Sequence, residues 1–286
     1  MIARIIALLV SGLLTLLGVT PAYPVRTEST VTKTLRFAGG GVHTLDVRVL
    51  NGPIVVTGYD GADVQVEARR TIAAISDDET RRAERDVVLD FVENAATVEA
   101  TVRELDHPAC GESGNVRSPA WWDRRQYEVT FDVTLRVPRD VRLRLCAING
   151  GIHVDDSAAE FDINSVNGRI TLGAMRAAGR AVAVNGAVEA SFAAAPRAAS
   201  LFKTVNGAIV ATFPGDLSAE VRMKTFSGGL FTDFDGEIQK GVPTSGRRGG
   251  MFVYRSNEFT TLRVGRGGPE LTFDAFNGDV RVLRAH

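Results

Sequence analysis

The chain is poor in the residues that build most catalytic and metal centres. Among 286 residues there are two cysteines and four histidines, and His43, His107, His153 and His286 are scattered. No Gly-x-Ser-x-Gly elbow and no His-Glu-x-x-His motif occurs, so nucleophilic and zinc-dependent hydrolysis have no support. The phosphate-loop spacing Gly-x-x-x-x-Gly-Lys-[Ser/Thr] is missing as well. A surplus of one charge is also lacking. Lys+Arg (33) and Asp+Glu (34) nearly cancel and lie interspersed, without the basic stripe of a nucleic-acid binder. The sequence therefore gives no reason to expect a cofactor, a metal or a nucleic-acid partner.

Long apolar runs are absent except at the start. Arg4 precedes an almost wholly apolar stretch, Ile5 to Val19, and then Thr20-Pro21-Ala22. A positive residue, a short apolar run and a small residue at the cut describe a secretory signal peptide over residues 1–22. The run falls short of the ~20 residues that span a bilayer, which favours cleavage over an uncleaved anchor. Uncleaved, this segment would be the chain's membrane contact. No cysteine follows it, which argues against a lipoprotein. Either reading exports the rest of the chain to the periplasm, the cell surface or the medium. In an oxidising compartment Cys110 and Cys146 can pair only with each other within one molecule, and that closure would contribute roughly 3–4 kcal/mol. The alternative is an unpaired Cys146 buried on a strand and an unpaired Cys110 in a loop.

What is present is period-two alternation. Thr44 to Val49, Ala62 to Arg69 and Gln126 to Val137 each put apolar residues on one face, the mark of half-buried strands. Pro138 closes the third, and Asp140 to Leu145 resumes the pattern. Ser76-Asp77-Asp78-Glu79 reads as a capping box, and Ala83, Val87, Val88, Phe91 and Val92 at helical spacing predict one helix over roughly Asp77 to Leu89. A strand is expected over Thr97 to Leu105. Residues 106–125 break the pattern and read as a loop. These segments make a β-rich part over 23–140, continuous with a second part over 141–286.

The second part is repetitive. Ile148-Asn149-Gly150, Val166-Asn167-Gly168, Val184-Asn185-Gly186, Val205-Asn206-Gly207, Phe226-Ser227-Gly228 and Phe276-Asn277-Gly278 recur, with an earlier copy at Leu50-Asn51-Gly52. From 149 the steps are 18, 18, 21, 21 and 50 residues. A lone Asn-Gly between apolar runs usually marks a hairpin turn. Recurrence every ~20 residues points instead to the corner of a β-coil, where each turn of a solenoid must place the same residue. The residue two before Asn or Ser is small (Ala147, Ser165, Ala183, Thr204, Thr225, Ala275). The residue directly before it, and the second after Gly (Ile152, Ile170, Val188, Ile209, Leu230, Val280), are apolar. Stacked coils would turn these columns into continuous buried ladders, with asparagine side chains free to bond one another. The 50-residue gap is expected to hide at least one more coil and an excursion, with Gly241 to Gly250 as a long flexible turn. The fold class is thus all-β, a single-chain β-solenoid with one short helix.

Three segments carry a resemblance. They are Leu50-Asn51-Gly52-Pro53-Ile54-Val55-Val56-Thr57-Gly58-Tyr59-Asp60-Gly61, Leu135-Arg136-Val137-Pro138-Arg139 ahead of the first tandem repeat, and the ladder ending in Gly267-Gly268-Pro269-Glu270-Leu271. With them the chain resembles the bacterial putative-adhesin family of repetitive envelope β-proteins. The resemblance implies a β-solenoid in the envelope without recognised catalytic residues; some relatives look like parts of envelope-stress sensing. The 106–125 loop and the cysteine pair depart from the pattern.

Candidate sites are few. Trp121 and Trp122, flanked by Asp123, Arg124 and Arg125, could stack on sugar rings or settle at a lipid headgroup layer; the plainer reading is that they cap the solenoid's end. Arg247 and Arg248 in a glycine-rich stretch could meet phosphate or an anionic glycan, against a plainer solvated turn. Asp155 and Asp156, with Asp233 and Asp235, are read as solvated turn carboxylates rather than calcium ligands or an acid/base pair. His153 should face outward. The expected function is non-enzymatic: an exported adhesin-like or scaffold surface for a protein or a cell-wall glycan. A carbohydrate-active enzyme on a β-helix and an envelope-stress sensor are the competing readings. The oligomeric state is not fixed by the sequence.

Overall fold

The computed structural model describes residues 23–103, 126–239, 245–248, 251–254 and 259–285. The N-terminal part contains β1 (Val25–Leu35), β2 (Thr44–Asn51), β3 (Ile54–Tyr59), β4 (Val64–Ala74), α1 (Asp77–Asp86), β5 (Leu89–Glu93), β6 (Thr97–Val102) and β7 (Tyr127–Pro138). The tandem repeats supply β8 (Arg142–Asn149), β9 (Ile152–Asp155), β10 (Phe161–Asn167), β11 (Ile170–Met175), β12 (Gly179–Asn185), β13 (Val188–Phe192), β14 (Ser200–Asn206), β15 (Ile209–Phe213), β16 (Ala219–Ser227) and β17 (Leu230–Thr232). Then come β18 (Gly236–Gln239), β19 (Ser245–Arg248), β20 (Met251–Tyr254), β21 (Thr260–Val264), β22 (Glu270–Asn277) and β23 (Val280–Arg284).

These strands form two large mixed sheets, not closed into a barrel, and the separate β19–β20 hairpin. One large sheet runs β1-β4-β7-β3-β9-β11-β13-β15-β23-β17, and the other β18-β21-β16-β22-β14-β12-β10-β8-β2-β6-β5. Each Asn-Gly dipeptide carries the chain from the eleven-stranded sheet to the ten-stranded one. β8 pairs parallel with β10 and β2, while β9 pairs parallel with β11 and β3. None of these dipeptides joins antiparallel partners, so the hairpin alternative does not apply.

The two sheets enclose one core. Ile152, Ile170, Val188, Ile209 and Val280 line one wall, and Leu145, Ile163, Phe202 and Phe273 line the other, all at 1% exposure or less. Rings meet across the gap: Phe192 lies edge-on to Phe202 at 6.0 Å, and Phe213 edge-on to Phe273 at 6.3 Å. A large side chain buried this fully contributes roughly 1.5–3 kcal/mol, set against the conformational entropy lost in ordering the chain around it.

The departures from the sequence expectation are informative. The expected all-coil solenoid is not what the strands form as a whole: both large sheets are mixed, with parallel pairs at the Asn-Gly repeats and antiparallel pairs toward both ends. β1 and β4 pair over eleven residues, β4 pairs with β7, and β5 with β6, because long alternating strands with one polar face can pair without forming a coil. The helix ends at Asp86, where Val87 is extended (φ −122°), and Leu89 opens β5 opposite Val102. β-Branched Val87 and Val88 favour that change. The capping box is half made: Ser76 Oγ accepts from Glu79 N at 3.3 Å, while Glu79 Oε2 is buried without a partner.

The 50-residue gap holds no further Asn-Gly coil among the described residues. β18 and β21 run antiparallel beside β16, and Ser245–Arg248, within the expected flexible turn, is a strand paired with Met251–Tyr254. The chain then returns, and its last coil enters between two earlier ones. β22 lies between β14 and β16, and β23 between β15 and β17. Spatial order therefore differs from chain order at the repeats centred on 206, 227 and 277.

Candidate functional site

Strand alternation decides what faces outward on the eleven-stranded sheet. Ala147, Ser165, Ala183, Thr204 and Ala275 point into the core at 2% exposure or less. The residue that follows each must point out, so the apolar column just before Asn or Ser is not a second buried ladder. It is an external stripe: Leu50, Ile148, Val166, Val184, Val205, Phe276 and Phe226 in spatial order. Ile148 is buried, the middle members are half-buried, and the stripe ends in Phe276 (50% exposed) and Phe226 (71%). Their rings stack at 4.8 Å and 4°. Phe231, on the other side of the same corner, is also exposed, beneath the Arg281 guanidinium.

Beside the stripe runs a row of amides. Asn149 Nδ2 donates to Asn51 Oδ1 at 2.8 Å, Asn167 to Asn149 at 2.8 Å, and Asn185 to Asn167 at 2.9 Å. Asn206 donates to Asn185 at 2.8 Å and Asn277 to Asn206 at 2.9 Å, while Asn51 ends the row on the Val129 carbonyl at 3.2 Å. Every donor points toward the N-terminal end of the stack. An amide carries two N–H donors and two lone pairs, so each inner asparagine keeps one of each for a ligand or solvent. Ser227 occupies the last corner, in register with Asn277. At about 4.8 Å per strand, the seven corners from Asn51 to Ser227 span roughly 29 Å.

The glycines after these asparagines are required by close approach. A Cβ on Gly150 would sit 1.9 Å from the Gly52 carbonyl oxygen, and one on Gly186 would sit 2.1 Å from that of Gly168. Positive φ adds to the requirement at Gly52 (φ +120°), but at Gly150, Gly168 and Gly186 contact alone imposes it. The corners are tied in the other direction by the backbone: Gly186 N donates to Asn206 O at 2.9 Å, and Gly207 N to Asn277 O at 2.9 Å.

Several carboxylates on the outer surface are held by arginines. Asp46, 3% exposed, accepts from Arg48 at 2.9 and 2.7 Å, and Arg144 lies at 3.4 Å. Asp156, in the left-handed region at φ +59°, accepts from Arg139 Nε at 2.7 Å and from Arg176; Arg139 also reaches Asp60. Hydrogen bonds from Arg139, then Arg176, lower the Asp156 carboxyl from 3.8 to about 2. A carboxyl held ionised in that way has no proton to give near neutral pH and is a weak base. Asp233 accepts from the Arg284 backbone N–H at 2.7 Å, and no group of three or more His, Cys, Asp or Glu side chains is placed to hold a metal among the described residues.

The remaining sequence candidates are dispersed. His153 faces outward on β9. Cys146 is buried on β8 and carries no free thiol; Cys110, Trp121, Trp122, Arg124 and Arg125 lie outside the described residues. Arg247 and Arg248 lie on β19, opposite Phe252 and Met251. Sequence reasoning missed the external stripe and its aromatic end. The signal was available: the small column and the column after it are adjacent, and adjacent strand residues cannot share a face. No helix among the described residues is long and apolar enough to cross a membrane.

No family model matches the chain, and no curated protein matches it. Among solved structures it is similar to a "putative cell adhesion protein" of Clostridium sporogenes, 9% identical, with a TM-score of 0.46 over 90% of this chain and 100% of that one. It is also similar to a "putative adhesin" of Bacteroides fragilis, at 11% identity and a TM-score of 0.32 over 90% and 97% of the two chains. A third is a "putative lipid binding protein" of Parabacteroides distasonis, at 10% identity and a TM-score of 0.25, again over 90% and 97%.

Proposed function

We propose that this chain is a non-catalytic, exported binding protein of the bacterial envelope, whose stacked coils form a solenoid that presents a long flat face to a protein or glycan partner. The observation that carries this reading is the external stripe. Seven outward apolar positions lie in line, ending in two stacked, exposed phenylalanines, beside a row of amides with free donors and acceptors. An outward apolar line that ends in an exposed aromatic pair, with a polar margin, is the arrangement of an interaction surface rather than of scattered surface residues. The Asp46 and Asp156 carboxylates, engaged by arginines, fit a structural use better than an acid/base one. Export and the adhesin-like role extend this reading from the N-terminal segment and the family resemblance.

The test is co-sedimentation of the purified protein with cell-wall sacculi and with envelope membranes, beside a reducing-end assay on the same polysaccharides. The expected result is retention without release of reducing ends. A Phe226→Ser/Phe276→Ser variant should be retained at least about tenfold less, with an unchanged unfolding midpoint, because both rings are exposed. Robust polysaccharide hydrolysis, or unaltered retention of the variant, would contradict the proposal.

A further inference from the structure

A groove of about 620 Å³ opens on the outer face of the eleven-stranded sheet, near the starts of β10, β12 and β14. Its floor is apolar, with Leu201 facing outward between the two rims and Ala178, Gly179 and Ala199 beside it. Gly179 packs close over Phe161, since a Cβ there would come within 2.5 Å of that residue. The rim carries charge, and its arginines and carboxylates are paired. On one side Arg180 Nη1 donates to Asn164 Oδ1 at 2.7 Å and Asp162 Oδ1 at 3.3 Å. On the other, Arg222 Nη1 donates to Glu270 Oε1 at 2.9 Å, and Thr272 Oγ1 to the same oxygen at 3.0 Å. The Phe259 ring overhangs this side, 4.6 Å from the Arg222 guanidinium and 5.5 Å from the Lys224 ammonium.

This combination selects among ligands. An anionic polymer needs several unpaired cations, whereas both rim arginines already face carboxylates and the Lys224 ammonium lies against the Phe259 ring. An extended peptide adds to a free sheet edge, whereas this groove lies on the face of a sheet whose strands are paired on both sides. A neutral sugar has an apolar C–H face and a girdle of hydroxyls that both donate and accept. The floor and the Phe259 ring match the former. The preset Arg–carboxylate pairs, each offering donors and acceptors within one planar cluster, match the latter.

We infer that this groove binds a neutral oligosaccharide, with Phe259 stacking on a sugar ring and the Arg180–Asp162 and Arg222–Glu270 pairs reading its hydroxyls. The inference rests on the non-catalytic binding reading and names the ligand class for one margin of the same face.

The test is titration calorimetry of the whole exported chain with cellotetraose, chitotetraose, xylotetraose and maltotetraose, and with tetragalacturonate as the anionic comparison. At least one neutral tetraose should bind, with little change between low and high salt. Phe259→Ala and Arg222→Met should each weaken that binding about tenfold or more, with the unfolding midpoint of Phe259→Ala unchanged. Three results would overturn the inference: no heat with any neutral tetraose, indifference to Phe259→Ala, or a preference for tetragalacturonate with steep salt dependence. Absence of saccharide binding alongside retention on sacculi or membranes through Phe226 and Phe276 would remove the groove's ligand and leave the binding-surface function standing.

Discussion

Asn277 donates its side-chain amide to Asn206 at 2.9 Å across 71 residues of sequence, and Ser227, which lies between them in the chain, stacks on the far side of Asn277. The last coil is therefore enclosed by two coils made earlier. Leu271, Phe273, Ala275, Val280 and Val282 are buried at 1% exposure or less, in strands paired on both sides. The chain must leave a place for this coil, or open one, before the stack closes, so the C-terminal segment completes the core and does not simply extend it.

The glycine column sets the closest contact between coils. Gly186→Ala would place a methyl group 2.1 Å from the Gly168 carbonyl oxygen, a backbone atom that cannot rotate away. Denaturant unfolding should register a loss of about 1–3 kcal/mol or more. Gly40→Ala, where nothing lies within 4 Å, is the matched control and should change stability by less than about 1 kcal/mol.

Asp156 predicts a pH dependence. Its folded pKa, about 2, is depressed from 3.8 by hydrogen bonds from Arg139 and Arg176. A depressed carboxyl contributes stability that is fully present above the unfolded value and is lost as pH falls through the folded one. Asp156→Asn tolerates the left-handed backbone and should be less stable than the parent at neutral pH. The difference in urea midpoint should shrink between about pH 4 and pH 2 and vanish below; a difference constant across that range would contradict the assignment.

Much of this was legible in the sequence, and the misses have physical causes. The corners are local: Asn-Gly with a small residue ahead and an apolar residue beyond recurs because each coil repeats the same packing problem, and β8, β10, β12 and β14 lie where that pattern puts them. The place of β22 between β14 and β16 is a long-range choice, and its local trace is slight: Ser227, which has no amide to continue the row, sits at the end of the stack beyond Asn277. The end of the helix at Asp86 was ambiguous because Leu89 and Phe91 suit either period. The groove was invisible because Arg180 and Arg222 come from separate repeats and Phe259 from the excursion before β21, and they meet only through register.

Cys146 is buried on β8 without a free thiol, and the chain's other cysteine is Cys110. Alkylation of the denatured, unreduced exported protein should add no label, with two labels after reduction, read by intact mass. Reduction should lower stability by about 2–5 kcal/mol. Two labels without reduction would return both cysteines to the unpaired reading.

Disulfide cross-linking at the corners tests the stacking order directly. Adjacent parallel strands lie about 4.8 Å apart, within the ~7 Å limit for a bridge between Cα atoms, and the second neighbour lies roughly 10 Å away, beyond it. In otherwise native chains, non-reducing peptide mass spectrometry should find a bridge in Asn206→Cys/Asn277→Cys and none in Asn206→Cys/Ser227→Cys. A bridge between 206 and 227, with none between 206 and 277, would mean that the coils stack in chain order, and would contradict the account.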